Sequence, residues 1–213
     1  MITVRLEPTS LNELEAGLDL TKKESRAVLK GAINKAATEI NKRLQKGIKG
    51  RYQLSSKTRG KVKESITLKR AKVADLVATI KVNSRIGDLY SFKVSPNGLY
   101  PGGKGAPKFI KGKVAKDNNL KRLILAPGEP RDKHKAFVVQ YKSGHIAVAQ
   151  RVMGSHMKGK PQREAIKNLY APSITKMGEI IYKDEIDGLV ADQILTKAMN
   201  EQVEKLLAKK GSV

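Results

Sequence analysis

The feature that most constrains this chain is one long amphipathic stripe. Leu29, Ile33, Ala36, Ala37, Ile40, Leu44 and Ile48 recur at spacings of three and four, which on a 3.6-residue helix lines them along one face. Lys30, Lys42, Arg43, Lys46 and Lys49 fall largely elsewhere. Thr21 and Glu24 form a capping box, in which the hydroxyl accepts from a backbone amide three residues on and the carboxylate answers. Gly47 and Gly50 weaken the last turns. The spacing predicts a helix over residues 21–50, and so apolar a face must be covered by a second layer.

From Ile66 the period falls to about two. Ile66 and Leu68, then Leu76, Ala78, Ile80 and Val82, then Tyr90, Phe92 and Val94, then Phe137, Val139 and Tyr141 alternate with more polar neighbours, as half-buried strands do. Lys142 to His145 reads as a tight connection into Ile146 and Val148, closing a hairpin. Strands that follow one another without helices between them predict an antiparallel, meandering sheet over residues 62–152.

Residues 95–135 interrupt that sheet with five of the chain's eight prolines and six glycines. Its short apolar clusters, Phe109-Ile110 and Leu120 to Leu125, either add a small hairpin or become ordered only against a neighbouring subunit. A Gly/Lys-rich connector then runs from Arg151 to Pro161. Pro172 suits the first turn of a second helical stretch, with apolar stripes at Ile174, Met177 and Ile181, at Ile186, Leu189, Val190 and Ile194, and at Val203, Leu206 and Leu207. Gly178 and Gly188 interrupt it, predicting a kink or two consecutive helices, and its methionines read as core filler. The expected fold is α+β. A single domain over residues 1–213 packs a long N-terminal helix on an antiparallel β-sheet, with a basic insertion at 95–135 and a helical C-terminal segment at 172–210.

Charge narrows the function. Lys and Arg number 43 against 20 Asp and Glu, a formal net charge of +23. Residues 1–20 carry −3, residues 21–72 carry +14, residues 73–171 carry +13 and residues 172–213 carry −1. A cationic middle between near-neutral ends suits an anionic neighbour on one face and protein on another. No apolar run is long enough to span a membrane, and the first twenty residues lack the basic start and apolar core of a secretion signal. Cysteine is absent, which excludes disulfides, thiolate metal sites and cysteine nucleophiles.

No residue set reads as catalytic. His134, His145 and His156 fall in turns or loops, with no acidic cluster beside them to complete a metal site. Gly102 to Gly105 lacks the spacer and the Gly-Lys-Ser/Thr ending of a phosphate loop. Asp75, Asp88, Asp117, Glu129, Asp132 and Glu164 form no paired-carboxylate constellation. Ser143, Gly144 and His145 are neighbours in one turn, where a nucleophile-to-base geometry is out of reach. No cofactor, no metal and no enzymatic activity are expected.

Only nine aromatics are available as stacking platforms, which argues against base readout. The cations suit phosphate contact. Lys57, Arg59, Lys61 and Lys63, together with Lys104, Lys108, Lys111 and Lys113 of the insertion, are the candidate DNA-facing or lumen-facing residues.

Two stretches resemble a known family. Ala136 to Arg151 (AFVVQYKSGHIAVAQR) looks like the hairpin motif of the minor tail protein Z family of long-tailed bacteriophages, with its Ala-Phe, Ser-Gly-His and closing Arg. Ile166 to Ile174 (IKNLYAPSI) resembles that family's approach to its last helix, with Ala171 where glycine is common. The Ala32-Ile33-Asn34-Lys35-Ala36-Ala37 core, Arg51-Tyr52 and Lys69-Arg70-Ala71 fit in order and spacing, so the likeness covers roughly residues 20 to 205. Phe137, Ser143, Gly144, His145, Arg151, Tyr170, Pro172 and Ser173 are the candidate structural residues of the motifs.

The resemblance implies a structural virion protein at the head-proximal end of the tail. It implies a homo-oligomeric ring, with a hexamer favoured, between the tail tube or tail terminator protein and the head–tail connector protein. Packaged double-stranded DNA is a further neighbour, and no membrane is. Its place would be the tail or neck of the virion, after assembly in the host cytoplasm. The alternative is a free, non-sequence-specific nucleic-acid-binding module.

Overall fold

The computed structural model describes residues 2–5, 22–85, 87–100, 105, 109–117, 121–122 and 136–210. In chain order the elements are β1 (Ile2–Arg5), α1 (Lys22–Arg51), α2 (Ser56–Glu64), β2 (Ile66–Lys69), β3 (Val77–Val82), β4 (Gly87–Asp88), β5 (Lys93–Ser95), β6 (Lys111–Lys113), β7 (Lys121–Arg122), β8 (Ala136–Gln140), β9 (Ile146–Met157), β10 (Lys160–Asn168), β11 (Tyr170–Ala171), α3 (Ile174–Glu185) and α4 (Leu189–Lys210). The fold is α+β, and every strand pair is antiparallel. The backbone divides into two compact units, one of Met1–Ile48, Lys63–Asn83 and Thr175–Val213, the other of Lys49–Val62 and Ser84–Ile174.

In the first unit the α1 stripe is core. All seven predicted residues are at most 2% exposed, joined by Val28 and Ala32. Asn34 fixes the loop between β2 and β3, accepting from the Ala71 amide at 2.8 Å and donating to the Ala71 carbonyl at 3.1 Å. Arg26 donates to the Val73 carbonyl at 2.9 Å. The sheet runs β1–β3–β2, and the alternation of β3 buries Ala78 and Ile80.

The C-terminal stretch is two helices, one of the two predicted outcomes. Gly188 supplies the break with φ +66°, a left-handed conformation that glycine adopts without steric cost, while the Asp187 amide returns to the Tyr182 carbonyl at 2.8 Å. Gly178 does not interrupt α3. A Cβ there would meet Val82 at 3.4 Å and Ile48 at 3.8 Å, ordinary van der Waals contact, so this buried glycine sits in the packed face of the helix without being required by it. The apolar stripe is also narrower than predicted: Met177, Ile181, Ile186 and Ile194 are buried, whereas Leu189 and Leu207 are 73% and 47% exposed.

The second unit packs Leu89, Val94, Ile110, Ala136 and Val148 into a small core. Three further expectations are corrected here. Residues 62–64 are the end of α2, not the start of a sheet. Tyr90 sits in a 3-10 turn, Leu89–Ser91, because the Asp88 carboxylate accepts from the Tyr90 amide at 2.9 Å and caps that turn. The connector of residues 151–161 is largely strand: β9 and β10 are 12 and 9 residues long and make one hairpin. Within the insertion the small hairpin is present, with β6 paired between β5 and β7.

Candidate nucleic-acid and assembly surface

The tract from Lys57 to Lys63 is carried on a helix that its polar composition does not announce. Ser55 starts α2: its Oγ accepts from the Thr58 amide at 3.4 Å, and its carbonyl accepts from the Arg59 amide at 2.8 Å. Val62 is the residue α2 buries. Lys57 and Lys61 stand one turn apart on one flank, Arg59 and Lys63 one turn apart on another, and all four are exposed.

The segment before Ser55 ties this helix to the insertion. The Gln53 amide donates to the Val114 carbonyl at 2.8 Å, the Lys93 amide to the Gln53 carbonyl at 2.9 Å, and the Ser55 amide to the Ser91 carbonyl at 2.9 Å. Residues 53–55 therefore bridge the backbone on either side of the β5–β6 pair. That pair is cationic. Lys93 stands opposite Lys113 and Ser95 opposite Lys111, and Lys111 is in turn opposite Arg122 of β7. Burial of Val94 sets the exposed face of β5, which carries Lys93. Like charges directly opposite on one face are unfavourable unless something anionic relieves them.

Of the eight candidate cations, Lys57, Arg59, Lys61 and Lys63 stand on α2 and Lys111 and Lys113 on β6, and residues 53–55, which lead into α2, are hydrogen-bonded to the backbone that flanks the β5–β6 pair. Lys104 and Lys108 lie outside the described residues, as do His134, Glu129 and Asp132. Sequence reasoning missed Lys93. Its signal was present, since Lys93-Val94-Ser95 alternates around a buried valine.

The two motif stretches converge on Asp88, a residue that belongs to neither of them. Gly144 adopts φ +78° in the turn between β8 and β9, which places His145 beside β4. His145 Nε2 lies 3.0 Å from Asp88 Oδ2, and its ring stacks on Tyr141 with centroids 6.0 Å apart. The Tyr141 hydroxyl donates to Asn168 Oδ1. Burial pushes the Tyr141 hydroxyl above its ordinary pKa, and the negative charge of Asp88 adds to the effect.

On the other side β4 pairs with β11, Asp88 opposite Tyr170 and Gly87 opposite Ala171. A Cβ on Gly87 would stand 2.3 Å from the Ala171 carbonyl oxygen and 2.4 Å from that of Pro172, so only glycine fits. Ser173 follows on the approach to α3, Tyr170 is 61% exposed, and Ser143 lies exposed in the turn. Phe137 and Arg151 meet separately, the guanidinium 5.6 Å from the ring centroid.

This arrangement clamps two connections together through Asp88, which caps the 3-10 turn with one oxygen and holds His145 with the other. Among the described residues, no group of three or more His, Asp or Glu is placed to hold a metal ion, and no helix is long and apolar enough to cross a membrane. A family model described as prophage minor tail protein Z matches residues 9–210, a span that includes the insertion, the clamp and the cationic strands. No curated protein and no solved structure matches the chain.

Proposed function

Because the chain belongs to the prophage minor tail protein Z family, we propose that it is a non-enzymatic structural protein of the phage virion. It completes the head-proximal end of the tail and joins it to the head–tail connector. In this reading it assembles in the host cytoplasm as a homo-oligomeric ring, a hexamer by preference, between the tail tube or terminator protein and the connector protein. The end of the packaged duplex passes its cationic surface.

The observation that carries the DNA contact is the register that sets Lys93 against Lys113, with the exposed cations of α2 as a second basic element. Such a face is unfavourable in isolation and suits a phosphate backbone, which needs cations without base readout. Replacing Lys57, Arg59, Lys93, Lys111 and Lys113 by Gln is expected to leave particles assembled but to impair DNA ejection. Loss of assembly would instead place those residues at subunit contacts.

The same cations favour a second reading, a free nucleic-acid-binding module. Purified virions separate the two. A tail component is present in them at a few copies per particle, seen at the neck by labelling, whereas a free module is absent.

A further inference from the structure

The β9–β10 hairpin outgrows the sheet it belongs to. By register β8 pairs with residues 146–150 of β9, and among the described residues no further strand joins β9 and β10 from Arg151 onward; their own register shifts twice there, between Lys160 and Glu164 and between Glu164 and Ala165. The change in environment is abrupt: Ala147, Val148, Ala149 and Gln150 are each 0% exposed, whereas residues 154–163 are all exposed. At about 3.3 Å per residue the part beyond β8 reaches roughly 20 Å. A two-stranded ribbon is marginal in water by itself. Among the described residues, 154–163 bury nothing to compensate.

Its chemistry is one-sided. Arg151, Lys158, Lys160 and Arg163 are cationic, and no carboxylate occurs from Arg151 to Arg163. Arg151 is engaged with Phe137, while Lys158, Lys160 and Arg163 have no ion pair among the described residues. Glu164, half-buried, stands opposite His156 in the register. The tip turns through Gly159 at φ +74°.

These features discriminate between partners. β10 is an edge strand, and Pro161 together with Lys160 blunts its outer edge, which disfavours strand addition by a second copy of the chain. The arm has no aromatic residue, and Met157, 38% exposed, is its one exposed large hydrophobic among the described residues, too little for the buried anchors of a protein interface. A two-stranded ribbon does match the major groove of B-DNA, about 12 Å wide and about 8.5 Å deep. Three cations near the tip match the phosphates that flank it.

We propose that the β9–β10 arm is a duplex-DNA-binding ribbon that holds the phosphate backbone through Lys158, Lys160 and Arg163 without reading sequence. It deepens the DNA contact proposed above, and rests on it, by adding an element separate from α2 and the β5–β6 pair.

The test uses the full chain and a mixed-sequence duplex, with binding followed by fluorescence anisotropy between about 50 mM and about 200 mM salt. The variants are K158Q/K160Q/R163Q and, separately, K57Q/R59Q/K93Q/K113Q. The arm variant is expected to bind at least about tenfold more weakly at low salt, with the slope of log affinity against log salt reduced by about 2.7, three contacts at about 0.9 each. Its thermal midpoint should not move, since all three side chains are exposed. Duplex should also protect Lys158 and Lys160 of the unaltered chain from acetylation.

An arm variant that binds like the parent, while the second variant loses affinity, overturns the arm and leaves the proposed DNA contact standing. A parent chain that binds no duplex at the lowest salt overturns both. An arm variant that keeps DNA binding but changes oligomeric state identifies a subunit contact, which also overturns the proposal.

Discussion

Helix α1 and the β9–β10 hairpin are both long elements, and they use their residues in opposite ways. Along α1 one face is sealed from Val28 to Ile48, and the alanines at 32, 36 and 37 bring it close to its cover. The hairpin starts as core at Ala147 to Gln150 and runs within a few residues into a stretch where every side chain from 154 to 163 is exposed. The helix is held by burial, which rewards each apolar residue by about 1.5–3 kcal/mol. The outer hairpin, whose register shifts twice, has backbone pairing and turn geometry but little burial among the described residues. Elements of the second kind contribute little to stability and are available for contact with something else.

The comparison breaks first at α1. Ile33→Ala or Leu44→Ala should cost about 2–5 kcal/mol in urea unfolding, because each side chain is 0% exposed and leaves a cavity. A loss under about 1 kcal/mol would mean that the stripe is not the core. Next comes the junction where the hairpin's base meets β4. Gly87→Ala drives a methyl into two backbone carbonyls that have nowhere to go, and should cost about 1–3 kcal/mol or abolish the β4–β11 pair, read as faster hydrogen exchange at Leu89 and Leu169.

Asp88→Ala removes the cap of the 3-10 turn and the partner of His145, for about 0.5–2 kcal/mol by thermal unfolding. His145→Ala should cost less, since that ring is half exposed and Asp88 keeps its Tyr90 amide. Gly60→Ala in α2 has open space around its Cβ and should stabilise by about 0.5–1 kcal/mol. Smallest of all, Lys160→Gln on the arm should stay within about 0.5 kcal/mol. An arm substitution as costly as one in α1 would erase the distinction.

Legibility followed the same divide. The α1 stripe was readable because burial imposes the helical period on the residue types, and its predicted bounds differ from the observed ones by one residue at each end. The outer hairpin was not readable, because strands that bury nothing need not alternate: Gly154, Ser155, Lys158 and Gly159 read as linker. Helix α2 was hidden likewise, with Val62 alone marking its inner side. Gly178 was misread because sequence does not distinguish a glycine that breaks a helix from one that lies buried within it. For the candidate surface, the cations of α2 and β6 were visible as charge and are exposed or half-exposed, but the backbone hydrogen bonds of residues 53–55 that lead from one element to the other were not readable.

The sequence by itself determined the α+β class, the buried helix face, the two-helix C-terminal stretch, the cationic middle and the family. All of these are written in local periodicity, composition or the order of short motifs. Tertiary structure alone decided that Asp88 would meet motifs more than fifty residues further along the chain, that Lys93 would face Lys113, and that β9 would outrun β8. Those outcomes depend on strand register, and register is settled when distant segments compete to bury Val94, Ile110 and Val148 and to satisfy backbone hydrogen bonds. No local spacing encodes that competition.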